Sequence, residues 1–111
     1  MNNRNGETKF NAAGWEEIRR WVQEKMPDVI RDLERICRIR SVAETKNPQC
    51  APYGQGCADV LEEMLLIGKE NGFSAHNYEN YVGRLTWPVQ ADMENGIGIW
   101  AHLDVVEEGP V

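Results

Sequence analysis

The sequence predicts an α/β fold, and three observations indicate it. Two segments, starting near Trp15 and Cys57, repeat apolar residues at the spacing of an amphipathic helix. After Phe73 the pattern changes to short runs of aromatic and β-branched residues, which are typical of strands. A last run, residues 97–106, is almost wholly apolar, as expected of a strand covered on both faces. The predicted order is therefore two helices followed by three strands.

Composition narrows the class of protein. The chain has 111 residues, which fits one small domain or part of a larger one. Its 12 basic and 18 acidic side chains give a net charge of −6, which disfavours nucleic acid as a partner because phosphates require a basic surface. No run of about 18 apolar residues is present, so no membrane partner is expected.

The N-terminus and the cysteines predict a cytoplasmic protein. Residues 1–10 lack the apolar stretch of a signal peptide. Three cysteines, an odd number in a chain with no apparent secretion signal, favour reduced thiols over a disulfide framework. They are Cys37, Cys50 and Cys57.

The first helix follows a polar segment, residues 1–13, which is predicted to be a flexible tail. Helical spacing begins at Trp15 and continues to Met26. Pro27 is expected either to kink this helix or to begin a new one. A further apolar stripe follows it, with arginines mostly off the stripe, where a solvated face is the favoured interpretation. The arginines are Arg31, Arg35, Arg38 and Arg40.

The second helix is the clearest element of the sequence. A loop marked by Asn47–Pro48 and Pro52–Gly54 precedes it. Apolar residues then recur from Cys57 to Gly68 at helical spacing, with acidic residues opposite. Asn71–Gly72 should end the helix, because glycine readily adopts the left-handed conformation of a C-cap.

The strands follow directly. Residues 73–78 and 81–87 are predicted strands joined by a turn at Glu79–Asn80. Pro88 should end the second strand or place it at a sheet edge. Asn95–Gly96 predicts a tight turn ahead of the apolar run 97–106.

One pair of residues in that run can carry chemistry. His102 and Asp104 lie two positions apart, so on a strand their side chains would project from the same face. A neutral imidazole binds zinc through one ring nitrogen, and a carboxylate can hold the other. Burying these groups unpaired would cost free energy, and a metal site would avoid that cost. Taken alone, however, the pattern is a weak signal, because a lone histidine is more often a satisfied structural residue.

Other polar residues offer weaker sites. His76 is expected to be a half-exposed residue of a strand. A zinc site formed by Cys50, Cys57 and the two histidines can be drawn, but its spacing matches no established pattern. Ser41 has no candidate base near it in sequence, so a turn or cap role is expected.

Three segments together resemble the cocatalytic zinc exopeptidases that include bacterial dipeptidases, desuccinylases and aminoacylases. The first metal-ligand motif of that superfamily is similar to IGIWAHLDVVEEG, residues 97–109. Its opening helix, which typically ends in Ser-Val, resembles DVIRDLERICRIRSV, residues 28–42. Residues 51–85 resemble the next helix and strand, and their Pro-Tyr-Gly, Gly-Phe and Tyr-Val-Gly elements favour the dipeptidase branch.

The resemblance implies a site and an activity. His102 would be a ligand of one of two metal ions, and Asp104 would be the catalytic-site carboxylate that orients His102. In such enzymes two zinc ions polarise the scissile carbonyl and generate a hydroxide, with a glutamate as general base. Cobalt or manganese can serve similar sites. The implied substrate is a small peptide or an N-acyl amino acid, and the full-length protein would be a monomer or a homodimer.

Two departures from the superfamily pattern matter. Glu107 stands where the family usually has proline. The bridging aspartate, the general-base glutamate and the remaining ligands belong to later motifs, so residues 14–111 are expected to be the N-terminal part of a truncated metallopeptidase catalytic domain, its sheet incomplete. Such a chain is expected to be inactive alone. The alternative is a complete, non-catalytic binding domain that uses an exposed β-edge.

Overall fold

The computed structural model describes residues 11–46, 48–87 and 95–110. Its elements are the helices α1 (Ala12–Cys37) and α2 (Gln55–Glu70) and the strands β1 (Ser74–Tyr78) and β2 (Val82–Thr86). The chain divides into two compact units, residues 1–31 and 32–111, whose boundary falls within α1. The two helices and the first two strands of the predicted order are therefore present.

Helix α1 begins earlier than predicted. Asn11 caps it, because its side-chain oxygen accepts a hydrogen bond from the N–H of Gly14 at 2.9 Å. Ala12 and Ala13, assigned to the flexible tail from sequence, are thus helical. Residues 1–10 of that predicted tail lie outside the described residues.

Helix α1 is one helix that runs through Pro27, rather than two. Ion pairs one turn apart support it on both sides of the proline, between Arg19 and Glu16 at 2.8 Å and between Arg31 and Asp28 at 2.9 Å. None of its side chains is buried. The apolar stripe predicted from its spacing exists, but it faces solvent in this structure.

The core of the second unit is formed by α2. Val60, Leu61 and Leu65 are all at least 92% buried, and they belong to the stripe predicted from sequence. The hairpin lies close to this face, because a Cβ at Gly83 would stand 2.7 Å from Leu61 and 3.0 Å from Leu65. Glycine at this position allows the backbone of β2 to approach the helix.

The end of α2 confirms the predicted glycine cap. Gly72 has a φ of 87°, in the left-handed region. Its N–H donates to the carbonyl of Lys69 at 3.0 Å, and the N–H of Phe73 donates to the carbonyl of Gly68 at 3.0 Å. These two bonds form a Schellman motif, which satisfies the last carbonyls of the helix.

The strands β1 and β2 form an antiparallel hairpin, paired from Ser74–Thr86 to Tyr78–Val82. Glu79 and Asn80, the predicted turn residues, have φ values of 53° and 62°. Positive φ at both positions is the conformation of the two-residue turn that matches strand twist. The prediction of this hairpin and its turn is confirmed.

The third predicted strand is wrong for the described residues. Within 95–110 only Val105 forms a bridge, a parallel one with Val42. Ile97, Ile99 and Trp100 are 96%, 92% and 89% exposed. An apolar run becomes a buried strand only when neighbouring strands supply ladder partners and a covering layer, and Val42 alone does not.

Two further predictions lie partly outside the described residues. Pro88, expected to end β2, is one of them, and so is Asn47 of the predicted loop. Asn95 and Gly96 are described, and the chain bends at Asn95. A membrane-spanning helix is not found in the part of the chain that the structure describes.

Candidate functional site

The structure brings His102 and Asp104 together on the segment that follows Ala101. The Nδ1 atom of His102 lies 3.0 Å from the backbone oxygen of Asp104 and 3.4 Å from its carboxylate oxygen Oδ1. Both side chains are exposed, at 85% and 57%. The sequence argument assumed burial at the end of a covered strand, and that premise is wrong here.

This geometry favours one tautomer of His102. A carbonyl oxygen only accepts hydrogen bonds, so a bond between it and Nδ1 requires the proton on Nδ1. The carboxylate of Asp104 stands on the same side of the ring and favours the same arrangement. The Nε2 atom then carries the free lone pair, which is the form of imidazole that binds a metal ion.

The backbone on which these side chains stand is fixed by Ser41. The hydroxyl of Ser41 donates to the carbonyl of Leu103 at 2.9 Å, and the N–H of Val105 donates to the carbonyl of Ser41 at 3.1 Å. Ser41 is only 2% exposed. The expected turn or cap role of Ser41 is therefore replaced by a long-range tie to the residues around Asp104.

The first turn of α2 supports Ser41 from the other side. A Cβ at Gly56 would overlap the carbonyl oxygen of Arg40, so glycine allows the helix to lie against this backbone. The thiol of Cys57 donates to the carbonyl of Ser41 at 3.6 Å. Burial, with the charges of Asp104 and Glu44, raises the pKa of Cys57 and keeps it a protonated donor.

An exposed ion pair extends the same connection. Arg40 lies 3.2 Å from a carboxylate oxygen of Glu108 and 3.8 Å from one of Glu107. A hydrogen bond from its own backbone N–H, together with the hydrogen bonds from Arg40, lowers the pKa of Glu108. Such exposed pairs are screened by solvent and stabilise weakly.

His102 and Asp104 are among the residues that line a cleft of about 600 Å³ in the second unit. Its floor is apolar and comes from α2 and β2, with Leu61, Met64 and Leu85 among the lining residues. Tyr53 and Tyr81 also line it, with their rings edge to face at 5.9 Å. An apolar cleft with a few polar groups at one wall is the usual form of a small-molecule site.

The other candidates from sequence are not assembled into sites. No group of three or more His, Cys, Asp or Glu side chains that could hold a metal ion occurs in residues 11–46, 48–87 and 95–110. The zinc site drawn from Cys50, Cys57 and both histidines therefore has no support. His76 is exposed on β1, with its ring 4.2 Å from that of Tyr78.

The arginine series is mostly exposed, as expected, with one exception. Arg35 is 27% exposed and connects the end of α1 to α2. It lies 2.6 Å from a carboxylate oxygen of Glu63 and 2.6 Å from one of Glu70. The sequence interpretation missed this role because no local pattern reveals which acidic residues of another helix an arginine will meet.

The contacts of Ser41 with the backbone of Leu103 and Val105 were also missed. Ser41 and Leu103 are 62 positions apart in the chain. The two motifs stand far apart in sequence, and nothing in either one indicates the contact. From sequence, the resemblance is the only link between Ser41 and this motif, because the superfamily carries both the Ser-Val pair and the His-x-Asp motif.

The chain is similar to three proteins named as dipeptidases. It is 35% identical over 89 residues to a provisionally named dipeptidase of Bacillus subtilis and 31% identical over 89 residues to the Beta-Ala-Xaa dipeptidase of Lactobacillus delbrueckii. It is 34% identical over 89 residues to a provisionally named dipeptidase of Staphylococcus epidermidis. Each match covers 79% of this chain.

The same matches cover 19%, 18% and 18% of the relatives' own lengths. The chain thus spans about a fifth of the curated proteins that it matches. No family model matches the chain.

Proposed function

We propose that this chain supplies the first metal-ligand segment of a zinc-dependent dipeptidase-like hydrolase. The observation that carries the proposal is the similarity to proteins named as dipeptidases, at 31–35% identity over 79% of the chain. The arrangement of His102 and Asp104 supports it, because Nδ1 faces oxygen atoms and Nε2 is left as the donor to a metal.

His102 and Asp104 have distinct roles in this proposal. His102 binds the metal through Nε2, and Asp104 holds the ring in the required tautomer. One imidazole and its supporting carboxylate fit a fraction of a two-zinc site, so the remaining ligands and the general base come from elsewhere in the full-length enzyme. The bound zinc ions would polarise the scissile carbonyl and supply a hydroxide.

The substrate class follows from the relatives. We propose hydrolysis of an amide bond close to a free carboxylate, with dipeptides as the first choice and N-acyl amino acids as the second. The Beta-Ala-Xaa dipeptidase named among the relatives suggests dipeptides with an N-terminal β-alanine as the first panel to assay. Cobalt or manganese in place of zinc belongs in the same assay.

The decisive experiment uses the protein translated from the complete reading frame that contains these residues. Zinc-dependent hydrolysis of dipeptides is expected, together with a large loss of activity in His102→Ala. Asp104→Asn should cost about 10- to 100-fold, as removal of a residue that supports a metal ligand does. His76→Ala is the matched control and should keep full activity, because His76 lies on the exposed face of β1.

Two results would contradict the proposal. One is the absence of hydrolysis of both dipeptides and N-acyl amino acids with any of the three metals. The other is activity that His102→Ala leaves unchanged. A protein that is inactive but captures a partner through the hairpin edge would instead support the alternative of a binding domain.

A further inference from the structure

We propose that Ser41 is a positioning residue for the metal-binding segment. Its buried hydroxyl and carbonyl would hold the backbone from which His102 and Asp104 project. This inference rests on the proposed function, since it assigns Ser41 to the same site. It adds a residue that lies outside the His-x-Asp motif and acts through the backbone.

The two hydrogen bonds of Ser41 bracket Asp104. The hydroxyl donates to the carbonyl of Leu103, and the N–H of Val105 donates to the carbonyl of Ser41, at 2.9 and 3.1 Å. The peptide groups on both sides of Asp104 are thereby fixed to one residue. Because His102 in turn contacts the backbone oxygen of Asp104, its ring orientation depends on the same backbone.

Packing cannot replace this connection. The side chains of His102 and Asp104 are 85% and 57% exposed, so neighbouring atoms cover little of them. Their relative position is set mainly by the backbone that carries them. Ser41, in contrast, is 2% exposed. The buried Ser41 therefore acts on the exposed pair through the main chain.

Ser41 is itself anchored to the core helix. Its carbonyl accepts from the thiol of Cys57, in the first turn of α2, at 3.6 Å. Gly56 allows that turn to lie against the carbonyl of Arg40. A continuous series of contacts thus runs from α2 through Ser41 to Leu103 and Val105.

The size and chemistry of Ser41 both matter. A donor is required because the Leu103 carbonyl can only accept, and this hydrogen bond is partly buried, so its loss would leave the carbonyl with little compensation from water. Alanine removes the donor, cysteine keeps a group of similar shape but donates weakly, and threonine keeps the hydroxyl. The three substitutions therefore separate loss of the hydrogen bond from loss of volume.

The test uses the protein translated from the complete reading frame, zinc ions as the probe, and NMR of selectively labelled leucine and valine residues. Zinc affinity is measured from the amide signals of Leu103 and Val105, with His102→Ala as the reference for loss of the ligand. Ser41→Ala is expected to weaken zinc binding about tenfold, at the lower end for residues that support a ligand. Ser41→Thr should restore most of the affinity, and Ser41→Cys should not.

A second readout keeps the test valid if the substitution loosens the fold. Amide exchange at Val105 should accelerate about tenfold in Ser41→Ala, while exchange at Leu61 and Leu65 in α2 stays unchanged. The carbonyl carbon of Leu103 should shift, since it loses its hydrogen bond. Ser74→Ala, which removes a hydroxyl at the start of β1, is the matched control and should change neither readout.

The outcomes separate the two proposals. A zinc affinity that His102→Ala leaves unchanged would overturn the proposed function, and the positioning role with it. A zinc affinity that depends on His102 but not on Ser41 would overturn the positioning role alone. So would an unchanged Leu103 carbonyl signal in Ser41→Ala, or accelerated exchange in α2 to the same extent as at Val105.

Discussion

Two apolar regions of the second unit differ sharply in burial. On α2, Val60 and Leu65 are 1% and 7% exposed, because the β1–β2 hairpin covers that face of the helix. On the segment 95–110, Ile97 and Ile99 are 96% and 92% exposed, although the run 97–106 within it is almost wholly apolar. Both regions carry the apolar pattern that predicts burial, but only the one on α2 is buried.

The difference lies in local partners. The hairpin follows α2 after a cap of only a few residues and pairs with itself, so every partner it requires is near in sequence. The segment 95–110 has one bridge, to Val42, and no described strand beside it. Apolar content therefore predicts which residues can be buried, while the presence of a ladder partner decides which ones are.

The largest effect that tests this comparison is a truncation in the buried region. Leu65→Ala should lower the free energy of unfolding by about 2–5 kcal/mol, because it removes a methyl-rich side chain from a packed face. Ile99→Ala should change it by less than about 0.5 kcal/mol, since Ile99 is exposed. Urea denaturation followed by circular dichroism measures both. Equal costs at the two positions would show that Ile99 is buried in solution.

A smaller effect is expected from adding a methyl group where backbones touch. Gly56→Ala should cost about 1–3 kcal/mol, because the new Cβ would overlap the Arg40 carbonyl and the backbone must move. Gly98→Ala is the matched control, since no atom of the described residues lies within 4 Å of its Cβ position. Thermal unfolding of the two variants gives the comparison. A Gly56→Ala chain as stable as the unsubstituted chain would contradict the close approach.

The cap of α2 offers the next test. Gly72→Ala should cost about 1 kcal/mol, because alanine is strained at a φ of 87° although there is space for its methyl group. Gly109→Ala, in the exposed region and also without neighbours within 4 Å, should cost nothing measurable. The urea midpoints of the two variants measure the difference in stability. If both changes were neutral, Gly72 would not hold the left-handed conformation.

The smallest effect concerns the ion pair that connects the exposed region to the end of α1. The folded-state pKa of Glu108 is lowered, so its contribution to stability is present above the pKa of the unfolded chain and is lost as the pH falls through the lowered value. A titration of the Glu108 carboxyl carbon by NMR should show this low midpoint. Arg40→Gln should raise it toward an ordinary glutamate, while Lys69→Gln, at the far end of α2, should not.

Local structure was predictable wherever a local pattern decides it. The α2 stripe, the Gly72 cap and the Glu79–Asn80 turn follow from spacing and from residues that tolerate positive φ. The structure of the run 97–106 was not predictable, because strand formation depends on partners that its own residues cannot reveal. The continuity of α1 through Pro27 was left open from sequence, and the structure settles it.

The candidate site shows the same division. His102 and Asp104 were found from two residues at a spacing of two, combined with a resemblance. Their exposure was mispredicted, since it followed from the strand that does not form. The contact of Ser41 with this segment could not be predicted from sequence, because its hydroxyl bonds the carbonyl of Leu103, 62 positions away.

The bridge between Val42 and Val105 also has a consequence for the order of folding. Closing the long loop between Val42 and Val105 costs chain entropy on the order of 4 kcal/mol, whereas the hairpin closes over the three residues between Tyr78 and Val82. The α2–hairpin core can therefore assemble first and offer Ser41 as a preformed docking point. The segment that carries His102 would attach last and detach first, so brief openings around His102 would occur while the core remains intact.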